Sequence, residues 1–299
     1  MSSEDERRAL VELLPQFLMR RRRGWTGLQA LVDQSRLTRP ALFLLRALVE
    51  EADPGVRLSL DELRARLFNP YSTVHDWVDL LPELVSGGYV SQTGDGYAVT
   101  PQGRALIEQM ERGAQAYLAT LTPIDEPDLT RLADTLSEIA ARLWSVPEPA
   151  ASPHQERVHR LPLSSGSAMA RLDRAVYALW TARDDAHNAA WRGAGFDGPM
   201  LDLLTRLWTG EAMTIAALTE RVPGQRPADI ERGVIALSAA GYITRDGDAL
   251  ALTPRGQQTR DAIEAETDRL YFAPWPSLTP DDVAWLRKTL KLVIERLPG

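Results

Sequence analysis

The chain has 299 residues, 44% of them hydrophobic, a net charge of −7 and no cysteine. That content can bury two cores of ordinary domain size, and the absence of thiols excludes disulfides, thiolate catalysis and Cys-ligated zinc. The charge divides as −5 over residues 1–144 and −2 over the remainder, so neither half reads as a general polyanion binder, and nucleic-acid contact must come from a local patch.

From the N-terminus, a long helix is expected first, then one opening near Pro40. Ser59-Leu60-Asp61-Glu62 has the S-x-x-E form of a capping box, so Ser59 is expected to start a short helix through Leu67. Phe68-Asn69-Pro70 breaks the chain. A second helix is expected from about Ser72 to Ser86, kinked at Pro82 and ended by Gly87-Gly88. Tyr89 to Thr100 reads as two short strands around Gly94-Asp95-Gly96. A helix follows Thr100-Pro101-Gln102-Gly103, and after Thr122-Pro123 an apolar-periodic helix from Asp128 to Leu143 closes this half.

Residues 145–168 hold four prolines among small polar residues and read as an extended linker. A long helix from Met169 to about Arg192 follows, then one opening near Pro199. The earlier order then recurs about 153 residues on. Thr214 caps a helix to Arg221, Val222-Pro223-Gly224 breaks it, and a helix runs from Pro227 to Ala240 with proline in its first turn. Gly241-Tyr242-Ile243 matches Gly88-Tyr89-Val90, the hairpin turns at Asp246-Gly247-Asp248, and Thr253-Pro254-Arg255-Gly256 matches the earlier Thr-Pro-x-Gly. Thr279-Pro280 leads to a closing helix from Asp281 to Leu297. A repeat of this length means two domains rather than a solenoid, with bounds 1–144 and 169–299.

Two helices joined by a tight break and followed by a hairpin form a winged helix-turn-helix. Leu37-Thr38-Arg39-Pro40-Ala41-Leu42-Phe43-Leu44-Leu45, Ser72-Thr73-Val74, the two Gly-Tyr-Val/Ile and Thr-Pro-x-Gly motifs, and Leu278-Thr279-Pro280-Asp281-Asp282-Val283 together resemble the MarR family of bacterial regulators. The resemblance covers most of both halves outside the linker. It implies a mainly α fold with short β wings, in which two tandem winged helix-turn-helix domains form an intrachain pseudo-dimer through their terminal helices. The stripes Leu129, Leu132, Leu136, Ile139, Leu143 and Val283, Leu286, Leu290, Val293, Leu297 suit that interlock.

In such a fold the second helix enters the major groove and basic side chains hold phosphates. Offsetting by 153 aligns Trp77, Leu81 and Leu84 with Ile230, Val234 and Leu237 as the core face. Outward positions are then Asp76, Asp79 and Glu83 in the first copy, against Asp229, Arg232 and Ala236 in the second. From Phe68 to Gly103 there is no lysine or arginine, so the first copy repels phosphate. The second carries Arg221, Gln225, Arg226, Arg232, Arg245 and Arg255, the expected contacts to double-stranded DNA. The Arg20-Arg21-Arg22-Arg23 run is a further candidate phosphate contact.

Tyr177, Trp180, Asp184, His187 and Trp191 lie on one face of the long second-half helix, at spacings of three and four. With Trp208, Tyr271 and Trp275 they form a candidate pocket for a small aromatic ligand, the ligand class the resemblance implies, with Asp184 and His187 as polar anchors. No phosphate loop, nucleophile elbow or metal-ligand spacing occurs, so no catalytic residue, metal or cofactor is expected. The chain reads as a binding protein and not an enzyme. No apolar run is long enough for a membrane span and the start lacks a signal-peptide pattern, so no membrane contact and a cytoplasmic location are expected. The expected function is a MarR-like, ligand-responsive DNA-binding regulator. The alternative is a tandem winged-helix protein that binds a protein partner or a small molecule without DNA.

Overall fold

The computed structural model describes residues 3–66, 70–149, 152–161 and 166–298. Leu67, Phe68 and Asn69, the expected end of a helix and start of a break, lie outside them, as do Ala150, Ala151 and residues 162–165 of the expected linker. The chain is mainly helical with two small antiparallel sheets. It divides into two compact units, the first made of Met1–Leu60, Asp79–Asp185 and Tyr271–Gly299, the second of Asp61–Val78 and Ala186–Leu270.

In chain order the elements are α1 (Ser3–Val11), α2 (Leu13–Arg20), α3 (Gly27–Ser35), α4 (Arg39–Glu51), β1 (Leu58–Ser59), α5 (Leu60–Arg66), a 3-10 turn (Asp76–Leu80), α6 (Leu81–Ser86), β2 (Val90–Thr93), β3 (Gly96–Val99), α7 (Pro101–Leu118) and α8 (Glu126–Ser145). Then come α9 (Pro153–Arg160), α10 (Ala168–Gly193), α11 (Gly198–Trp208), α12 (Ile215–Arg221), α13 (Pro227–Ala239), β4 (Ile243–Asp246), β5 (Ala249–Leu252), α14 (Pro254–Phe272) and α15 (Pro280–Arg296). The single long helix expected at the N-terminus is broken into α1, α2 and α3; Arg36 closes α3 in the left-handed conformation at φ 59°.

In the first unit the sheet order is β1-β3-β2, and α15 packs on α1, α2 and α8. Every residue of the two apolar stripes on α8 and α15 is buried, including Leu297 at the end of α15, because a three-four spacing sets them along one side of each helix. Thr279 caps α15 reciprocally with Asp282, whereas α8 starts at Glu126 under Asp125 and not at Thr122-Pro123. The second unit buries Leu203, Leu204, Leu218, Ile230, Val234 and Leu237 together, with β4 and β5 paired and Thr214 bridging Ala249.

The repeated motif has a common geometry in both copies. Gly88 and Gly241 end their helices at φ 76° and 75°, a conformation that only glycine adopts without strain. The Thr100 hydroxyl donates to Gly88 O and Tyr89 O and accepts from Gly103 N; Thr253 does the same with Gly241, Tyr242 and Gly256. A methyl group on Gly103 would stand 2.3 Å from Tyr89 O, and one on Gly256 2.1 Å from Tyr242 O. Thus Thr-Pro-x-Gly is the helix start that lets the chain return against the Gly-Tyr turn. Gly256→Ala is expected to destabilise the second unit by about 2 kcal/mol in urea unfolding, the usual cost of overpacking. Gly193→Ala, whose methyl meets nothing within 4 Å, serves as the neutral control.

Two expectations are corrected. The helix expected from Ser72 to Ser86 is instead an irregular stretch, a 3-10 turn and the short α6. Pro82 has no N–H to continue an α ladder, so it opens a new helix rather than kinking a long one. The expected extended linker 145–168 contains α9, and the compact units do not follow the cut 1–144 and 169–299. The reason lies in partners distant in sequence. The buried Asp185 carboxylate accepts from His154 N at 3.1 Å and Gln155 N at 3.0 Å and pairs with His154 Nδ1 at 2.8 Å, capping α9 from another helix. Arg157 pairs with Glu51 and Arg160 with Asp53, which pins α9 to α4.

Candidate nucleic-acid interface

Thr214 starts α12 by accepting from Ala217 N, and the turn Val222 to Arg226 leads into α13, with Pro227 in the first turn. Ile230, Val234 and Leu237 are buried, which turns Arg232 and Ala236 outward and leaves Asp229 half-buried at the N-terminal end of the helix. Arg221 and Arg226 are exposed and, among the described residues, hold no ion pair. Arg232 pairs with Asp229 and Arg245 with Glu231, while the Arg255 guanidinium lies 4.8 Å from the centre of the Tyr242 ring. Gln225 differs from the others: it is buried, and its amide donates to Pro199 O at 3.1 Å. It holds α11 to the turn instead of facing a groove.

Residues 211–256 contain five arginines against six carboxylates. Ion pairs with an exposed guanidinium, such as Arg232 with Asp229, are weak in water, so a phosphate can displace the carboxylate from either arginine at little cost. The pairing therefore lowers the field of the surface without locking it.

In the first copy, Trp77, Leu81 and Leu84 are buried, and Asp76 and Asp79 are exposed. Glu83, expected outward as a repulsive group, is only half-exposed and accepts from both the Thr38 amide and the Thr38 hydroxyl, holding the start of α4. Of the four-arginine run, Arg21 and Arg22 turn inward. Arg21 bonds Asp173, and Arg22 reaches Glu111 at 3.0 Å and Asp173 at 2.9 Å. Arg46 completes the network with Glu111 and Glu50, each at 2.7 Å. Burial alone would push the Glu111 carboxyl up, but the charges and hydrogen bonds of Arg46 and Arg22 outweigh it and bring it down to about 2.

Residues 70–74 make contacts that residue types and spacing do not show. Gly224 O accepts from Thr73 N at 2.7 Å, Val74 N at 3.0 Å and the Ser72 hydroxyl at 2.7 Å. The Thr73 hydroxyl accepts from Arg226 N at 3.2 Å and donates to Asp229 at 2.6 Å, a bond that holds the Asp229 carboxyl below its ordinary value. Thr73 and Arg226 are equivalent positions in the 153-residue repeat, so the turns of the two copies meet at matching residues.

The eight expected ligand residues divide between the units. In the first, Tyr177 donates to Glu50 at 3.4 Å, Trp180 is half-buried, and Tyr271 and Trp275 pack with Phe272 in an aromatic cluster. Asp184 belongs there too; burial raises its carboxyl to about 6, against the lowering charges of His154 and Arg157. In the second, His187 meets the Thr267 hydroxyl at 3.1 Å, Trp191 is buried and donates to Asn188, and Trp208 donates to Asp261 beneath Arg260. Asp184 and His187 thus fall in different compact units. Among the described residues no three acidic or imidazole groups converge to hold a metal ion, and no helix is long and apolar enough to cross a membrane.

A search of curated proteins and one of solved structures found no match. A family model, HTH_67, described as a helix-turn-helix family, matches residues 112–298, which include α12, the turn and α13. The match spans more than half of the chain, and the protein belongs to this helix-turn-helix family.

Proposed function

We propose that the protein is a DNA-binding transcriptional regulator of MarR-like type, acting in the cytoplasm as a single chain whose tandem copies form a pseudo-dimer through their terminal helices. DNA contact comes mainly through the second copy, and a small molecule modulates it. The observation that carries this reading is the asymmetry of the copies. α12, α13 and the β4–β5 hairpin keep a continuous helix-turn-helix with exposed Arg221, Arg226, Arg232 and Arg245, while in the first copy the second helix is not continuous and no lysine or arginine occurs from Phe68 to Gly103. Each exposed arginine is matched to a phosphate, and no catalysis is required.

The test is fluorescence anisotropy of the full chain against duplex DNA from its own upstream region and a scrambled duplex. Four phosphate contacts imply an affinity loss of about a hundredfold between 50 and 200 mM salt. Arg226→Ala/Arg232→Ala is expected to reduce the slope of log affinity on log salt by about 2. No preference for the upstream duplex, or no salt dependence, overturns the reading.

A second reading is that of a winged-helix protein that binds a protein partner or small molecule and no DNA. The Thr73 bonds to Arg226 and Asp229 favour it, because they occupy the N-terminal turn of α13, the part of such a helix that approaches base edges. No binding to either duplex at 50 mM salt, in the wild type and in Thr73→Ala alike, selects this reading.

A further inference from the structure

Within the first unit, α8, α9 and α10 enclose a cavity of about 320 Å³ that none of the residues discussed so far as DNA or ligand contacts lines. This is at the small end of the ~300–1,000 Å³ range of sites that hold small molecules. Half of its lining residues are alanine or valine. Ala140 and Ala141 come from α8, Ala175 and Ala178 from α10, and Val158 from α9. The Trp144 indole of α8, 44% exposed, also lines it, with the His159 ring centre 3.8 Å from its own at an interplanar angle of 35°. Alanines at these positions leave the space open, and the exposed tryptophan stacked on a histidine offers it an apolar surface.

The polar lining is of one sign. Arg171 and Arg174 both reach the cavity, and among the described residues no carboxylate lines it, in a chain whose net charge is −7. Both guanidiniums are positioned by the backbone: Arg171 donates to Gly166 O at 2.6 Å, and Arg174 to Val158 O at 2.9 Å. Arg171 also bonds the exposed Asp134 at 3.1 Å. Burial and the neighbouring Arg174 lower the His159 pKa, so the imidazole is neutral near pH 7 and stacks as an aromatic ring, leaving the charge to the arginines.

We infer that this cavity binds a small organic anion with an apolar body, the body lying on the alanine floor against Trp144 and the anionic head at Arg171 and Arg174. Positioned guanidiniums hold a carboxylate through paired, charge-assisted hydrogen bonds, and the alanine walls exclude water from the remainder of the ligand. The site is independent of DNA contact and stands or falls separately from it.

The experiment is isothermal titration calorimetry of the full chain with 2-naphthoate and with octanoate, each beside its neutral primary amide. At least one carboxylate is expected to bind about tenfold more tightly than its amide, the difference a charged hydrogen bond supplies; which one binds tells whether the body is flat or a chain. Arg171→Gln is expected to reduce that preference about fivefold. Ala141→Phe, at an exposed position of α8 that tolerates the larger ring, is expected to abolish binding while the far-ultraviolet spectrum and melting temperature stay unchanged. Binding of neither carboxylate, equal binding of acid and amide, or retained binding in folded Ala141→Phe overturns the assignment.

Discussion

Glu111→Gln is expected to lower the melting temperature of the protein by about 10 °C at pH 7, whereas Glu108→Gln, one turn away and exposed, leaves it within about 1 °C. Glu111 is buried and receives Arg46 and Arg22 at 2.7 and 3.0 Å. An amide keeps the shape but not the charge, so two guanidiniums enclosed by protein lose the carboxylate that compensates them. Removing one partner of a buried ion pair costs about 3–5 kcal/mol, and in a unit of this size each kcal/mol shifts melting by about 2–4 °C. The pH dependence follows from the same residue. Its carboxyl lies at about 2 in the fold against 4.5 for the free group, a depressed acid. Its contribution of about 3 kcal/mol is therefore complete above pH 4.5 and disappears as pH falls toward 2. Thermal melts of both variants between pH 3 and 8 measure this; coincident curves would mean that the charged network contributes nothing.

Asp184→Asn is expected to act in the opposite direction, raising the melting temperature by roughly 5 °C at pH 8 and by nothing at pH 3.5. Burial is the first cause of the raised Asp184 carboxyl, at about 6 against 3.8, and the adjacent Asp185 adds to it; His154, Arg157 and Arg183 offset only part. A raised acid is more costly to ionise in the fold than in the unfolded chain. At pH above 6 the penalty of about 3 kcal/mol is complete, and it shrinks to nothing as pH falls below 3.8. That penalty is already net of the attraction of His154, Arg157 and Arg183; the amide removes it but puts in a buried NH2 donor at a cost of about 1 kcal/mol, so the gain is put at about 2 kcal/mol. A melting temperature lowered at pH 8 would show that ionised Asp184 is a stabilising partner. Together Asp184 and Glu111 place the stability maximum that these two groups supply between about pH 3.8 and 4.5, where the loss from ionising Asp184 begins and the gain from ionising Glu111 ends.

Features legible in the residues share a short range. The Gly-Tyr turn, the hairpin glycines and the Thr-Pro-x-Gly helix start are satisfied within about 15 residues, through Gly88, Thr100 and Gly103 and again through Gly241, Thr253 and Gly256. The buried faces of α8, α13 and α15 followed from helical period alone. Gln225 shows where that reasoning ends. A glutamine just before a helix suits a groove as well as a core, and only the position of Pro199 O decides that it is buried. Glu83 is similar: its outward placement followed from helical period over a stretch in which Pro82 prevents a continuous α-helix, and Thr38 supplied two donors.

The sequence by itself determined that the chain carries a repeated motif, is mainly helical with short hairpins, and has no lysine or arginine from Phe68 to Gly103 against five arginines 153 residues on, because period, capping and composition are local quantities. The tertiary structure alone decided that residues 153–160 form a helix, since its cap is Asp185 and its ion partners are Glu51 and Asp53. It also decided that Arg21 and Arg22 serve a buried network and not a phosphate, that Thr73 meets Arg226, and that Trp144, His159, Arg171 and Arg174 share one cavity. Each of these is a contact between residues brought together by chain reversals, and a buried charge or a cavity exists only once the atoms that exclude water from it have been put in place.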